Sequence, residues 1–443
     1  MPGKYLRRLP TALVVAVAAL ALAACGDQYP NSTFTHLTDL NTATDALWNR
    51  LLLFGTVVFV FVEVLLLVTI FKFRQRPGSP APKQVHGNAV LEITWTAIPA
   101  LILVMIAIPT VKTIFKTQAK AATGSLQVEV IGHQWWWEFR YPELGVTTAN
   151  ELYIPAGRTV NFALKTKDVL HSFWTPNLGG KRDLISNKTN YLWYTPNADI
   201  ADQVFNGFCT EYCGSSHANM RFHVYTVSEG DFGKWVDHQK TAALGSPVAA
   251  TPVMAASMPG MPGMAGMKHD AKGAAAPASN TASNMAADSG YVFPLNKIPA
   301  HAIPSTPLPT GEREVKFDDT LLPNGNAVAG RELITSMANL GKAPCLTCHI
   351  VKGEMTMMGL TDDAASGPNL THFGTRHTLA GGIYASDAKI LARWLKNARM
   401  MKPGSIMPTL GTGELDPQSG KKLAAGLDDR QIADIVAYLM TLK

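Results

Sequence analysis

The sequence predicts a multidomain membrane protein: a two-helix transmembrane hairpin, an all-β barrel or sandwich, and then an all-α domain. Three observations predict it. Two long apolar blocks lie close together, separated by a short basic loop. Short alternating runs punctuated by turn residues follow them. Beyond an interval rich in Ala, Pro, Gly and Met, the apolar residues recur with helical spacing. The 443 residues suffice for two or three domains, each with its own core. The formal charge of +6 is modest. No Lys/Arg stripe interleaves with aromatics, so nucleic acid is not an expected partner.

The chain opens on "MPGKYLRRLPTALVVAVAALALAACGDQ". Lys4, Arg7 and Arg8 precede an apolar core from Thr11 to Leu22, the layout of a signal peptide over residues 1–24. Leu22-Ala23-Ala24-Cys25 resembles a bacterial lipoprotein cleavage box and makes Cys25 the expected lipidation site. An uncleaved anchor helix is the plainer alternative. Residues 25–45 are then an extracytoplasmic segment, and residues 46–118 the hairpin.

Its first apolar block, Leu51 to Phe71, is long enough to cross a bilayer. The second, Ile93 to Ile108, reaches that length with its flank to Phe115, and Pro99 and Pro109 are tolerable within it. Lys72, Arg74, Arg76 and Lys83 between the blocks place that loop in the cytoplasm and everything after about Lys116 outside it. The expected location is a bacterial inner membrane, crossed twice. Two carboxylates stand out here. Glu63 lies mid-helix, where a helix-interface role is the plainer reading, and Glu92 at the cytoplasmic mouth of the second helix.

Residues 125–240 carry the β pattern, in "LQVEVIGHQWWWEFRY", "ELYIPAGRTVNFALKTKD" and "MRFHVYTVS". Residues 241–312 have the composition of a flexible linker. Within it Met258, Met261, Met264 and Met267 recur beside His269. Thioethers can capture Cu(I), but a low-complexity spacer explains the run as well. In the final domain, residues 313–443, "NAVAGRELITSMANLG" places Val328, Leu333, Met337 and Leu340 on one helix face. "DDRQIADIVAYLMTLK" does the same with Ile432, Ile435, Val436 and Leu439.

Between those helices, Cys345-Leu-Thr-Cys348-His349 has the spacing of covalent c-type haem attachment: two thioethers and an axial imidazole. A zinc site would need a second ligand pair in this domain, and a thioredoxin-like pair would need a βαβ context. A thioether suits the other axial position. Met355, Met357, Met358, Met400, Met401 and Met407 compete for it, and Met407, in the Pro/Gly loop "GSIMPTLG", is favoured. With "GPNL" at Gly367 to Leu370, the segment resembles a class I cytochrome c.

"CTEYCGSSHANM" sets Cys209, Cys213, His217 and Met220 within twelve residues. Thiolates, imidazole and thioether form a copper-like donor set, since zinc seldom recruits methionine. A disulfide would leave His217 and Met220 unexplained. His171, in "DVLHSFWTPNLG", is the expected further ligand from an earlier strand. His133, His223 and His238 are weaker candidates of the kind that is usually structural.

These two stretches, with "GHQWWWEFRY" and "HGNAVLEITWTAIPA", resemble the subunit 2 family of cytochrome c oxidases from about Thr44 to Lys240. With the fused haem domain the chain resembles the caa-type members. The resemblance implies a cupredoxin-like β domain holding binuclear copper (CuA). Its ligands would be His171, Cys209, the Glu211 carbonyl, Cys213, His217 and Met220, with both cysteines bridging. It implies electron entry at Trp135, for which a surface docking aromatic is the alternative, and a magnesium ion near the Glu211 side chain at the subunit 1 interface; core packing is the plainer reading of Trp136 and Trp137. It associates Glu92 with proton entry. The implied partners are subunit 1, which reduces dioxygen to water and pumps protons, and subunit 3. The implied donor is a cytochrome c or a quinol–cytochrome c reductase. The missing thiolates and methionine of quinol oxidase subunits argue against that class. A nitric oxide reductase subunit stays open, and a membrane-tethered copper-delivery protein would not need "CLTCH".

Overall fold

A computed structural model describes residues 15–17, 19, 29–80, 84, 86–119, 121–243, 290–303, 306–354 and 359–443. Cys25, the Met-rich run with His269, and Met355, Met357 and Met358 lie outside the described residues.

Helix α1 (Asp39–Lys72) starts at Thr38, whose hydroxyl accepts the Asn41 N–H and donates to the Leu178 carbonyl at 2.6 Å. That second bond ties the helix start to the β domain, and Leu40 and Asn41 are buried there. The hairpin therefore begins seven residues before the expected position 46, because the first turn belongs to the domain interface. Helix α2 (Ala89–Gln118) is capped by Asn88, whose side chain accepts the Val90 and Leu91 N–H groups. Beyond the first turn of α1, neither helix buries a residue. A helix apolar on every side with no protein cover needs lipid or a partner around it.

The β domain packs two five-stranded sheets. One has the order β3 (Val146–Ala149), β2 (Trp136–Tyr141), β1 (Leu126–His133), β5 (Val160–Thr166), β8 (Asn190–Tyr194). The other runs β4 (Glu151–Pro155), β10 (Arg221–Val227), β9 (Gln203–Cys209), β6 (His171–Trp174), β7 (Arg182–Leu184). Trp137, Phe139, Phe162, Phe173 and Phe222 fill the space between them, with Phe173 stacked on Phe222 at 4.7 Å. The β pattern expected up to residue 240 ends earlier. Ser228 caps a helix, α3 (Glu229–Lys240), that buries Phe232, Trp235 and Val236. Spacing of three and four residues suits a helix face, not a strand.

The expected linker is shorter than residues 241–312. Phe293 is fully buried against Tyr225 at 5.1 Å, and Ala302 belongs to the same core. Two aromatics, Tyr291 and Phe293, are enough apolar area to hold this segment on the β domain.

The last domain is built on α4 (Ala327–Thr335), α5 (Ala388–Met401) and α6 (Asp429–Thr441). Ile432, Ile435, Val436 and Leu439 are buried as expected. The α4 face differs from the expectation. Val328 and Met337 are 53% and 70% exposed, while Gly330 and Ile334 face inwards. At the α4–α6 crossing Gly330 lies against the Asp434 carbonyl, so the backbones meet where a larger side chain would hold them apart. Helix α4 also ends at Thr335, before Met337.

Candidate copper and haem sites

Strand pairing builds the first cluster. β6 opens with His171 and β9 closes with Cys209, and the two strands pair at Phe173–Cys209. The loop to β10 then folds back, with Cys209 N–H donating to the Met220 carbonyl at 3.1 Å. The side chains converge. Cys209 Sγ lies 3.7 Å from Cys213 Sγ, 3.8 Å from His171 Nδ1 and 3.3 Å from the Glu211 carbonyl oxygen. Cys213 Sγ lies 3.6 Å from His217 Nδ1 and 3.9 Å from Met220 Sδ. The two sulfurs are too far apart for a disulfide. All six expected donors therefore gather around one sulfur pair, and the soft set fits copper.

The electrostatics prepare ligands. The hydrogen bond with Cys213 lowers the Cys209 thiol against the opposing effect of burial, and His171 lowers it further. The same pairing with Cys209, and burial, raise Cys213. Thiolates rather than thiols are the metal ligands, and the pairing favours Cys209 as the first to ionise. His171 Nε2 bonds the Asp168 carboxylate at 2.7 Å, which leaves Nδ1 facing the sulfurs. Burial disfavours the charged imidazole, but Asp168 and Cys209 outweigh it and raise His171. The Glu211 side chain is exposed.

The second site is a cavity of about 1160 Å³, its open mouth included. Cys345, Cys348, His349 and Met407 all line it, with Leu370, Phe373, Leu379 and Trp394 among the apolar walls. His349 Nδ1 donates to the Pro368 carbonyl at 2.7 Å, which fixes the tautomer and frees Nε2 for iron. Burial lowers the His349 pKa and pushes the Cys345 thiol up to about 12. Gly367 is required beside the imidazole, since a Cβ there would come within 2.5 Å of His349 Cε1. Two cysteines, a tautomer-fixed imidazole and a thioether on one apolar cavity fit a covalently held haem.

Trp135 joins the sites. Its indole Nε1 donates to the Cys213 carbonyl at 3.0 Å, and the residue lines the haem cavity. Gln134 Nε2 donates to the same carbonyl at 2.8 Å. Trp137 is core, as expected. Trp136 is not. It stacks on His133 at 4.1 Å and lines the haem cavity, because β2 begins at the sheet's end and turns that ring outwards. Met400 and Met401 stay in α5, Met401 buried in the domain core. Glu92 Oε1 accepts the Asn88 N–H at 3.2 Å and so helps cap α2.

Asp168, Gln134 and Pro368 contact His171, the Cys213 carbonyl and His349; each stands in a motif quoted above, but the sequence expectations give none of them a role. Asp168 had a signal, standing three residues before His171 in the same motif. The other two act through partners 79 and 19 residues away.

Residues 37–113 match the family described as cytochrome C oxidase subunit II, transmembrane domain, and residues 145–227 its periplasmic domain. Residues 330–443 match cytochrome c. A cytochrome c oxidase subunit 2 of Alkalihalophilus pseudofirmus is 28% identical over 87% of this chain and 83% of that one. That of Bacillus subtilis is 36% identical over 52% of this chain and 67% of the relative. A quinol oxidase subunit 2 of Bacillus spizizenii is 35% identical over 44% of this chain and 62% of the relative.

Fold and families together define a membrane-anchored oxidase component with a copper-type β domain and a c-type cytochrome domain. The chain belongs to the cytochrome c oxidase subunit 2 family. Those families imply copper and haem c as its cofactors.

Proposed function

We propose that this subunit takes electrons in at its cytochrome domain, passes them across Trp135 to the copper cluster, and delivers them to a haem-copper subunit 1. There dioxygen is reduced to water and protons are pumped. Cys345, Cys348, His349 and Met407 would hold the haem, and His171, Cys209, the Glu211 carbonyl, Cys213, His217 and Met220 would hold the copper. Bound there, the two groups would supply one-electron couples.

One observation carries this reading: Trp135 bonds the Cys213 carbonyl and also lines the haem cavity. A rigid indole between the two sites needs no diffusive encounter at each turnover. The Glu211 side chain as a magnesium ligand, Glu92 in proton entry, and Cys25 as a lipid anchor belong to the same proposal. So do the periplasmic side of a bacterial inner membrane, contact with subunit 3, and supply from a cytochrome c or quinol–cytochrome c reductase.

The test is the complex isolated in mild detergent through a tag on this chain and supplied with ascorbate-reduced donor. Fast, cyanide-sensitive dioxygen uptake is expected. Nitric oxide uptake with negligible dioxygen uptake would move the subunit to the reductase class with its ligands unchanged.

A further inference from the structure

Two buried ionisable side chains, a carboxyl and an amine whose pKa burial lowers to about 7, sit between the copper domain and the cytochrome domain. Glu151, on β4, is 3% exposed. Its Oε1 accepts hydrogen bonds from three donors on the cytochrome domain: His377 N–H at 2.8 Å, Thr378 N–H at 2.9 Å and Thr378 Oγ1 at 3.1 Å. Lys402, which follows α5, is also 3% exposed and reaches the other way. Its Nζ donates to the Trp135 carbonyl at 2.6 Å and to the Ala380 carbonyl at 2.8 Å. Between these points Arg221 N–H donates to the Gly381 carbonyl at 2.9 Å and Ser216 Oγ to the Pro403 carbonyl at 2.5 Å. Gly404 closes over Trp135: a Cβ there would come within 2.7 Å of indole Cη2.

Such groups are poor glue, because each is solvated well in water when the domains part. They are good selectors. In any shifted register a carboxyl or an amine would stay buried with its partners out of reach, and a buried polar group without partners is costly.

We infer that Glu151 and Lys402 are reciprocal positioning pins that fix the cytochrome domain in one register on the copper domain, with Trp135 held between them. The cytochrome domain is thus a permanently seated lid over the copper loop, and a soluble donor meets the cytochrome domain first. Neither pin is one of the six copper donors, but Lys402 lines the haem cavity and bonds the Trp135 carbonyl, so the inference rests on the proposed route to that extent.

The test uses the full chain in detergent, as Glu151→Leu and Lys402→Met, and follows amide exchange at His377, Thr378 and Arg221. Exchange at all three is expected to quicken roughly ten- to a hundredfold in each variant, the scale of a buried group left without its hydrogen bond. Amides of β1 and α6 should stay as they are in both variants, and in Glu151→Leu so should the optical bands of both sites. A response confined to amides beside the replaced side chain, or no response, overturns the inference. So does faster exchange in β1 or α6, which would mean a role inside one domain.

A second readout separates positioning from structure. After the haem is reduced, bleaching of the copper band should become viscosity-dependent in the variants, since the lid must reseat. If bleaching stays independent of viscosity while the three amides open, the seating is overturned as a determinant of transfer. If the amides respond as expected and no transfer occurs even in the unaltered chain, the proposed electron route fails and the pins remain.

Discussion

Asp168 is the residue whose neighbours say most about the copper cluster. Burial resists its ionisation, yet hydrogen bonds from His171 and the Gln134 N–H hold its carboxyl below the usual carboxylate range. It is therefore the charged acceptor that orients His171. Asp168→Asn should weaken copper binding about 10–100-fold, the usual effect of losing an outer-shell partner, as read by chelator competition on the copper band. Met407→Ala should slow electron entry through the haem and change its absorption, with the copper spectrum unchanged. Loss of the copper band in that variant would contradict separate sites. Gly367→Ala forces a methyl against His349 and should cost the cytochrome domain about 1–3 kcal/mol in denaturant unfolding.

At the scale of elements, end groups decide as much as apolar faces. Helix α6 begins with a complete capping box, in which Asp428 accepts the Gln431 N–H and Gln431 returns the bond to Asp428 N–H. Asp428→Ala should lower the stability of the cytochrome domain by about 1 kcal/mol, visible as an earlier thermal transition. The α6 face was legible because four buried positions share one helical stripe. The α4 face was not. Its contact is backbone against backbone at Gly330, and periodicity of apolar side chains carries no trace of that. Helix α3 hid in the same way, since its first residues, Glu229, Gly230 and Asp231, are polar and its aromatics come late.

Across the whole molecule, the domain interface holds histidines with little access to water. His372 lies 4.5 Å from His238 of the copper domain, ring to ring. Burial, then repulsion from His238, lowers the His372 pKa to about 4. A base lowered in the folded state contributes stability that is complete above its ordinary value near 6.5. That stability is lost as pH falls from there towards 4. Acidification through this window should therefore loosen the seated domains before it unfolds either core. Amide exchange at His377 and Thr378, compared with β1, would record the order. A simultaneous loss of both would refute it.

Much of this protein is written in local residue chemistry. Four clustered ligands within twelve residues, the Cys345–His349 spacing and two apolar blocks name the kind of metal, the kind of haem and the membrane hairpin. Those signals are short-range, because ligand type and strand or helix period act through neighbours in the chain. Tertiary structure alone decided that Trp136 faces outwards beside Trp135, that Phe293 returns to the β core, and that Glu151 meets His377 across 226 residues. Each of these depends on which surfaces meet. A carboxylate buried by a distant backbone looks, in sequence, like any carboxylate on a strand.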